Sequence, residues 1–173
     1  MPELNNQNFN HLKIHTQYSI CEGAIKIDNL KDFCKEKKIP CLGISDTSNL
    51  CGALEFAENI SKVGTQPIIG TQIYFRFEDT TGLLPLIALN ENGYKRIIEL
   101  SSRSYLENDA LSDPHLDVKD LLIDTEGVSL LSGTIQGLFG KLFEKGRLDE
   151  ISKLYRSLSS KFNDNFYLEI QRH

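Results

Sequence analysis

Short apolar runs alternate along this chain with amphipathic segments, and this alternation limits the fold more than any other feature. The runs are typical of buried strands, and the segments between them have the spacing of helices that cover one face of a sheet. Repeated strand–helix units predict an α/β fold with a parallel sheet, either open or closed into a barrel. The strand-like runs are residues 11–15, 40–45, 68–69 with 72–77 (a strand pair or one bent strand), 84–89, 127–132 and 166–171.

The spacing of apolar residues also predicts the buried face of each helix. Asp28 is placed to cap the first helix, and Asp117 to cap a short helix ending near Leu122. Residues 78–82 are expected to form a polar turn, and residues 107–115 a surface loop. The predicted inward residues are Leu30, Phe33 and Cys34; Ala53, Ala57 and Ile60; Tyr94, Ile97, Ile98, Ser101 and Tyr105; and Leu148, Ile151, Leu154, Tyr155, Leu158 and Phe162.

Charge and hydropathy exclude several functional classes. The net charge is −5 at pH 7 and no basic stripe is visible, so duplex DNA is not expected to be the principal partner. The longest apolar run, residues 83–89, is too short to span a bilayer. The N-terminus also lacks the basic and apolar regions of a secretory signal. We therefore expect a cytoplasmic protein with no membrane partner.

Motifs of several common active sites are missing from the sequence. The cysteines at positions 21, 34, 41 and 51 lack the spacing of a zinc site and are expected to behave as small apolar side chains. The glycines form neither a phosphate-binding loop nor a dinucleotide-binding pattern. No serine lies in a G-x-S-x-G nucleophile elbow.

Three stretches carry a resemblance to a known family. They are HLKIHTQYSICEGA at residues 11–24, CLGISDTSNLCGALEF at 41–56 and GTQPIIG at 64–70. In order and spacing they resemble the opening of the bacterial DNA polymerase III alpha subunits, which is a polymerase-and-histidinol-phosphatase (PHP) domain. Further matching stretches follow at residues 92–94, 102–105, 127–133 and 167–173, so the resemblance covers essentially the whole chain.

The resemblance implies a distorted (β/α)7 barrel in which residues 1–173 are the N-terminal part of a much longer polymerase subunit. The barrel is expected to be incomplete, with its C-terminal part missing. We therefore expect one exposed edge on the first strand, near residues 12–15. A helix that should follow the strand at 167–171 is expected to be absent, which would leave apolar surface uncovered and favour self-association.

The resemblance also implies where a metal site would lie and that it is degenerate here. In metal-binding members, histidines and acidic residues at the ends of the strands hold a divalent metal cluster that supports phosphoester hydrolysis. Among the positions of that site, His15 and Glu22 keep a side chain able to bind a metal. Lys13 cannot bind a metal, since an ammonium has no lone pair to donate, and its positive charge would repel one. The positions of the vestigial pocket are Lys13, His15, Glu22, Thr47, Gln72, Leu83 and Thr134.

Alternatives remain for individual pocket residues. His15 is either a leftover ligand or, as we favour, a hydrogen-bonded histidine at a strand end. Lys13 could contact a phosphate, although an ion pair with Glu22 inside the former metal pocket is favoured. We expect no catalytic residue, no metal ligand and no cofactor in this segment.

The function implied by the resemblance is that of a non-catalytic module within a DNA-directed DNA polymerase. Such a module would dock the proofreading exonuclease (epsilon) subunit and meet other replicase subunits. DNA and the magnesium of the polymerase reaction would be bound mainly by downstream domains. One alternative is a metal-dependent PHP-family phosphoesterase or 3′–5′ exonuclease with an unusual ligand set, and another is a free-standing small binding protein.

Overall fold

A six-stranded mixed sheet forms the centre of the molecule in this computed structural model, in which residues 9–109 and 111–170 are described. The strands are β1 (Cys41–Thr47), β2 (Gln66–Phe77), β3 (Thr80–Ala88), β4 (Leu116–Asp117), β5 (Val128–Leu131) and β6 (Phe166–Tyr167). The helices are α1 (Ile27–Lys37), α2 (Ala53–Ser61), α3 (Glu91–Leu106), α4 (Val118–Leu121), α5 (Leu138–Glu144) and α6 (Leu148–Phe162).

The strand order is β1–β2–β3–β5–β6, with β4 paired to the far end of β2. The β1–β2, β2–β4 and β5–β6 pairs are parallel, as the alternating pattern predicts. In contrast, β3 runs antiparallel to both β2 and β5. The predicted α/β fold is therefore confirmed, but its parallel arrangement does not extend to β3. The connection from β2 to β3 is too short for a crossover helix, so it can only form a hairpin.

The structure also decides whether residues 68–77 form a strand pair or one strand. These residues belong to one continuous strand, β2, which extends over 12 residues. The polar turn is shorter than predicted, since β3 already begins at Thr80. Glu78 in this turn adopts a left-handed backbone with φ of 53°, a conformation that short hairpin connections commonly need.

The N-terminal segment, residues 11–16, does not form the regular strand predicted for it. It runs beside β1 and makes a parallel bridge between Ile14 and Ile44. The Gly43 N–H donates to the His11 carbonyl at 2.7 Å. The approach is close because Gly43 has no side chain: a Cβ there would lie 2.8 Å from the Leu12 Cα. Among the described residues, no backbone ladder joins this segment to β6, so the sheet is not closed into a complete barrel.

Two apolar clusters hold the helices on the sheet. The larger joins β2, β3 and β5 to α3, α5 and α6, and the smaller packs α1 and α2 against β1. Burial of this apolar surface is the main force that holds the layers together. Fully buried members include Phe75, Leu84, Leu86, Leu100, Leu130 and Leu158 in the larger cluster and Ile27, Leu42, Phe56 and Ile60 in the smaller one.

The buried faces of the helices differ from the predicted ones at several positions. The inward stripes are Ile27, Leu30 and Cys34 in α1; Ala53, Phe56 and Ile60 in α2; Gly93, Arg96, Ile97, Leu100 and Ser104 in α3; and Leu154, Leu158 and Phe162 in α6. Predicted core residues that are instead exposed are Phe33, Ile98, Tyr105, Leu148 and Tyr155. Ala57, Tyr94, Ser101 and Ile151 were also predicted to face inward and are only partly buried.

Helix α3 buries a different face from the predicted one because of contacts in its first turn. Gly93 contacts the backbone of Gly127 so closely that a Cβ on Gly93 would lie 1.8 Å from the Gly127 carbonyl oxygen. Arg96 is buried because its guanidinium donates to the carbonyls of Asp120, at 2.5 Å, and Asp124, at 3.2 Å. A buried arginine that satisfies backbone carbonyls cannot be recognised from apolar periodicity.

Capping at two helices also differs from prediction. Asp28 lies in the first turn of α1, whose N-cap is Lys26. Asp117 occupies the N-cap position of α4 but makes no capping hydrogen bond. Its carboxylate instead pairs with Arg76 at 2.9 Å. Helix α5 was not predicted at all, although Leu138 and Leu142 have helical spacing and are both fully buried.

No helix within the described ranges is long and apolar enough to cross a membrane.

Candidate functional site

A cavity of about 360 Å³ lies where the N-terminal segment, β2, β3 and the loop after β5 meet. Six of the seven positions predicted for the vestigial pocket line it: Lys13, His15, Glu22, Gln72, Leu83 and Thr134. Residues that line it but were not predicted are Gly133, Gln136 and Gly137. The seventh predicted position, Thr47, is joined to the cavity residues by hydrogen bonds.

Thr47 links two cavity residues through its hydroxyl group. The Gln72 side-chain amide donates to Thr47 Oγ1 at 2.7 Å, and the Thr47 hydroxyl donates to Glu22 Oε2 by a short hydrogen bond. Each of the three positions would carry a metal ligand if the family resemblance extended to the site. Here the three side chains instead satisfy one another directly, as a chain of donors and acceptors.

His15 lies at the end of this hydrogen-bond chain. Its Nδ1 is 3.4 Å from Glu22 Oε2 and 3.4 Å from Ser19 Oγ. The ring is therefore placed among hydrogen-bonding partners in the loop that follows the N-terminal segment. Of the two alternatives for His15, these contacts match the hydrogen-bonded histidine rather than a leftover metal ligand.

Lys13 has a different ionic partner from the one predicted. Its Nζ lies 3.1 Å from Oε1 and 3.3 Å from Oε2 of Glu169. Lys13 and Glu22 line the same cavity, but the carboxylate of Glu22 contacts Thr47 and His15. The predicted Lys13–Glu22 ion pair is therefore wrong. The pair with Glu169 could not be inferred from local sequence, because it depends on how far the sheet curls.

Asp46 holds the loop that carries Glu22 to the cavity, and sequence reasoning did not single it out. This carboxylate is only 1% exposed. Its Oδ1 accepts from the Thr16 backbone N–H at 2.6 Å and from the Ser19 hydroxyl at 2.6 Å, while Oδ2 accepts from the Thr16 hydroxyl at 2.8 Å. A buried carboxylate is tolerated only when its oxygens are satisfied in this way. The available signal was an acidic residue inside an otherwise apolar strand run.

The loop held by Asp46 is tightly packed against the N-terminal segment. Gly23 lies against the carbonyls of His15 and Thr16, and a Cβ on it would be 2.0 Å from the Thr16 oxygen. Cys21, in the same loop, has a left-handed φ of 65°. These close approaches set the direction in which Glu22 enters the cavity.

Charge and burial both act on the nearby Tyr74. Burial raises the pKa of the Tyr74 phenol, and the negative charge of Glu22 raises it further. The Lys141 ammonium lies 5.7 Å from the centre of the Tyr74 ring, within the range of a cation–π contact. The phenol is therefore neutral at physiological pH and is not available as a base.

The donor set of this cavity does not fit a metal cluster. An ammonium, a primary amide and an alkyl side chain occupy three of the seven positions, and none of these donates strongly to a metal. Glu22 is already bound by the Thr47 hydroxyl. Within residues 9–109 and 111–170, no group of three or more histidine, cysteine, aspartate or glutamate side chains is arranged to hold a metal ion.

The cysteines of the described chain are free and differ in their surroundings. Cys34 is buried in the smaller apolar cluster, and burial raises the pKa of its thiol, as expected for a structural cysteine. Cys41 is partly covered. Cys21 and Cys51 are exposed, so the expectation of an apolar environment is wrong for these two.

Comparison with known proteins places the chain in a family. The family profile of the PHP domain matches residues 11–173. The DNA polymerase III subunit alpha of Caulobacter vibrioides is 37% identical over the whole chain, which covers 16% of that protein. The corresponding subunit of Vibrio cholerae is 32% identical over 95% of the chain and 14% of that protein. The chain thus spans about one sixth of the length of the curated relatives that it matches.

A solved structure assigned to a metal-dependent phosphoesterase of Bifidobacterium adolescentis is also similar. It is 15% identical, the match covers 89% of this chain and 57% of the other, and the TM-score is 0.42. The profile match over nearly the whole sequence, together with relatives of one kind, decides the assignment. The chain belongs to the PHP domain family and is homologous to the N-terminal PHP domain of the bacterial DNA polymerase III alpha subunit.

Proposed function

We propose that this chain is the PHP domain of a replicative DNA-directed DNA polymerase and that the domain itself is not catalytic. The observation that carries the second part is the hydrogen-bond chain from Gln72 through Thr47 to Glu22. A hydrolytic metal site needs lone pairs directed at one point in space. In this cavity Thr47 Oγ1 instead accepts a hydrogen bond from the Gln72 amide, and Glu22 Oε2 accepts one from the Thr47 hydroxyl.

The charge of the cavity supports the same proposal. Lys13, which lies at the position of a ligand implied by the family resemblance, carries a positive charge that Glu169 compensates. A divalent cation entering this cavity would have to displace the ammonium from Glu169 and compete with the Thr47 hydroxyl for the Glu22 carboxylate. The residues therefore favour a structural role for the cavity.

As part of the polymerase subunit, the domain would serve as a docking module for the proofreading exonuclease (epsilon) subunit and contact other replicase subunits. Support comes from the relationship to polymerase alpha subunits and from the acidic character of the chain. With a net charge of −5, the domain is poorly suited to hold duplex DNA by itself. DNA and the magnesium of the polymerase reaction would be bound downstream in the longer protein.

A metal and activity measurement tests the non-catalytic role. The purified chain would be analysed for bound zinc, manganese and iron and assayed with bis-p-nitrophenyl phosphate and with single-stranded DNA bearing a free 3′ end. The expected result is less than one ion per chain and no hydrolysis above buffer. Two or more ions per chain, together with hydrolysis that His15→Ala abolishes, would establish the rival function of a metal-dependent phosphoesterase.

A binding measurement tests the docking role separately. The exonuclease subunit encoded in the same genome would be titrated into the chain by calorimetry, with an unrelated acidic protein of similar size as the control. Saturable binding at a one-to-one ratio is expected. No heat at protein concentrations of about 100 μM, which corresponds to a binding free energy weaker than roughly −5.5 kcal/mol, would contradict the docking role.

A further inference from the structure

The Lys13–Glu169 ion pair joins two segments that are 156 residues apart in the sequence. Lys13 belongs to the N-terminal segment beside β1, and Glu169 follows β6 at the opposite end of the strand order. The sheet therefore curls until its two outer flanks come within reach of one pair of side chains. No backbone ladder within the described residues makes this connection.

Both ends of the ion pair are held by backbone hydrogen bonds. On one side, the Ser45 N–H donates to the Ile14 carbonyl at 2.8 Å, next to Lys13 in the chain. On the other side, the Glu169 N–H donates to Ser132 Oγ at 2.9 Å, and the Ser132 N–H donates to the Tyr167 carbonyl at 2.9 Å. Because the two backbones are already fixed, the pair loses less conformational entropy than a pair on mobile surface chains.

The pair is also more shielded from solvent than an ordinary surface pair. The side chains of Lys13 and Glu169 are 19% and 14% exposed, whereas those of the surface pair Lys95–Glu91 are 68% and 79% exposed. Water screens charges less effectively where access is limited, so the attraction between Lys13 and Glu169 is stronger than that of the exposed pair.

The ion pair lies where two cavities meet. Lys13 lines the candidate functional site, and Glu169 lines a neighbouring cavity of about 520 Å³ with apolar walls that include Phe139 and Phe143. Gly133 and Thr134 line both cavities. The segment that carries Glu169 therefore lies at the boundary between a polar cavity and an apolar one.

The geometry points to an electrostatic latch: the Lys13–Glu169 pair fastens the open flank of the curled sheet and holds residues 168–170 at the boundary between the two cavities. With the pair formed, the segment after β6 is kept close to the N-terminal segment. With the pair broken, residues 166–170 lose one of their connections to the rest of the sheet and open locally more often. The latch is a property of the fold and does not depend on the proposed function.

Hydrogen exchange measured by mass spectrometry tests the latch. Lys13→Met keeps most of the length of the side chain but removes the charge, and Lys13→Arg keeps the charge. In Lys13→Met, exchange in peptides covering residues 166–170 should be about fivefold faster, as expected when roughly 1 kcal/mol of local stabilisation is lost. In Lys13→Arg, residues 166–170 should keep most of their protection from hydrogen exchange. Lys95→Met, which breaks the exposed pair with Glu91, should leave this segment unchanged.

Two results would overturn the latch. One is unchanged exchange at residues 166–170 in Lys13→Met. The other is equal loss of protection in Lys13→Met and Lys13→Arg, which would assign the effect to packing rather than to charge. If Lys13→Met does not fold, Glu169→Gln, which keeps the shape of the partner but not its charge, decides in the same way. Faster exchange confined to residues 166–170 and the N-terminal segment supports the latch, and unchanged exchange refutes it.

Discussion

Gln72 donates a 2.7 Å hydrogen bond from its buried side-chain amide to the hydroxyl of Thr47, which in turn donates to Glu22. Gln72 lies in β2 and Thr47 ends β1, and the two residues are paired across the parallel strands. The contact is therefore built into the register of the sheet. It converts positions that the family resemblance assigns to a metal site into a self-satisfied polar network.

Removing the hydroxyl of Thr47 should destabilise the chain. Thr47→Val keeps the shape of the side chain but leaves the buried Gln72 amide without this acceptor, so the free energy of unfolding should fall by about 1–3 kcal/mol. Urea unfolding followed by circular dichroism measures the change. Thr125→Val is the matched control, because its hydroxyl makes a single hydrogen bond near the surface, to the Lys161 carbonyl at 3.1 Å. If the two substitutions lower the free energy of unfolding equally, the hydrogen-bond network of Thr47 contributes no additional stability.

The carboxylate of Asp46 should be required for the loop that forms the cavity wall. Asp46→Asn replaces one acceptor oxygen by an amide group that would face the hydrogen-bond donors of Thr16 or Ser19, and should cost about 2–4 kcal/mol of stability. Limited proteolysis should then cut residues 16–23 faster. The exposed Asp164, changed to Asn, provides the control and should leave both stability and proteolysis unchanged. Wild-type resistance to proteolysis in Asp46→Asn would contradict the assignment.

Introducing metal-binding side chains at the positions of the implied site should create a metal site in the cavity. The triple variant Lys13→His, Thr47→His, Gln72→Glu adds imidazole and carboxylate ligands beside His15 and Glu22. Zinc titrated into this variant should release or absorb heat and raise its melting temperature, whereas the unchanged chain should show neither effect. Tight binding by the unchanged chain, or none by the variant, would mean that these positions do not converge on one site.

Arg147 should control the titration of Asp79, which lies in the turn between β2 and β3. Hydrogen bonds from Arg147 lower the pKa of Asp79 from 3.8 to about 2. A lowered carboxyl pKa contributes stability that is fully present above the unfolded pKa, near pH 4, and is lost as the pH falls through about 2. In Arg147→Gln, NMR titration should find the Asp79 pKa raised towards 3.8, and stability should depend less on pH between about 4 and 2. Lys95→Gln should leave the titration of Asp79 unchanged.

Local sequence patterns were sufficient to predict most of the regular elements. The strand at residues 41–47, the strand ending at Phe77 and the inward Leu154, Leu158 and Phe162 of α6 all follow from apolar periodicity. Six of the seven positions named from the resemblance to the PHP family line one cavity. These features depend on residues close together in sequence, or on an order of motifs that can be read directly.

Tertiary structure decided the features that depend on distant contacts. The ionic partner of Lys13 is Glu169 because the sheet curls, and no local pattern records how far it curls. The role of Asp46 follows from two hydroxyls and one backbone N–H that a separate loop brings to it. The face that α3 buries depends on the contact of Gly93 with Gly127, a glycine that lies beyond α4 in the sequence. The sequence by itself determined most of the elements and the family, because periodicity is a local property and the order of motifs is read directly along the chain. Only the fold determined the partners of the buried charges, because electrostatic and hydrogen-bond energies depend on distances in space rather than on positions in the chain.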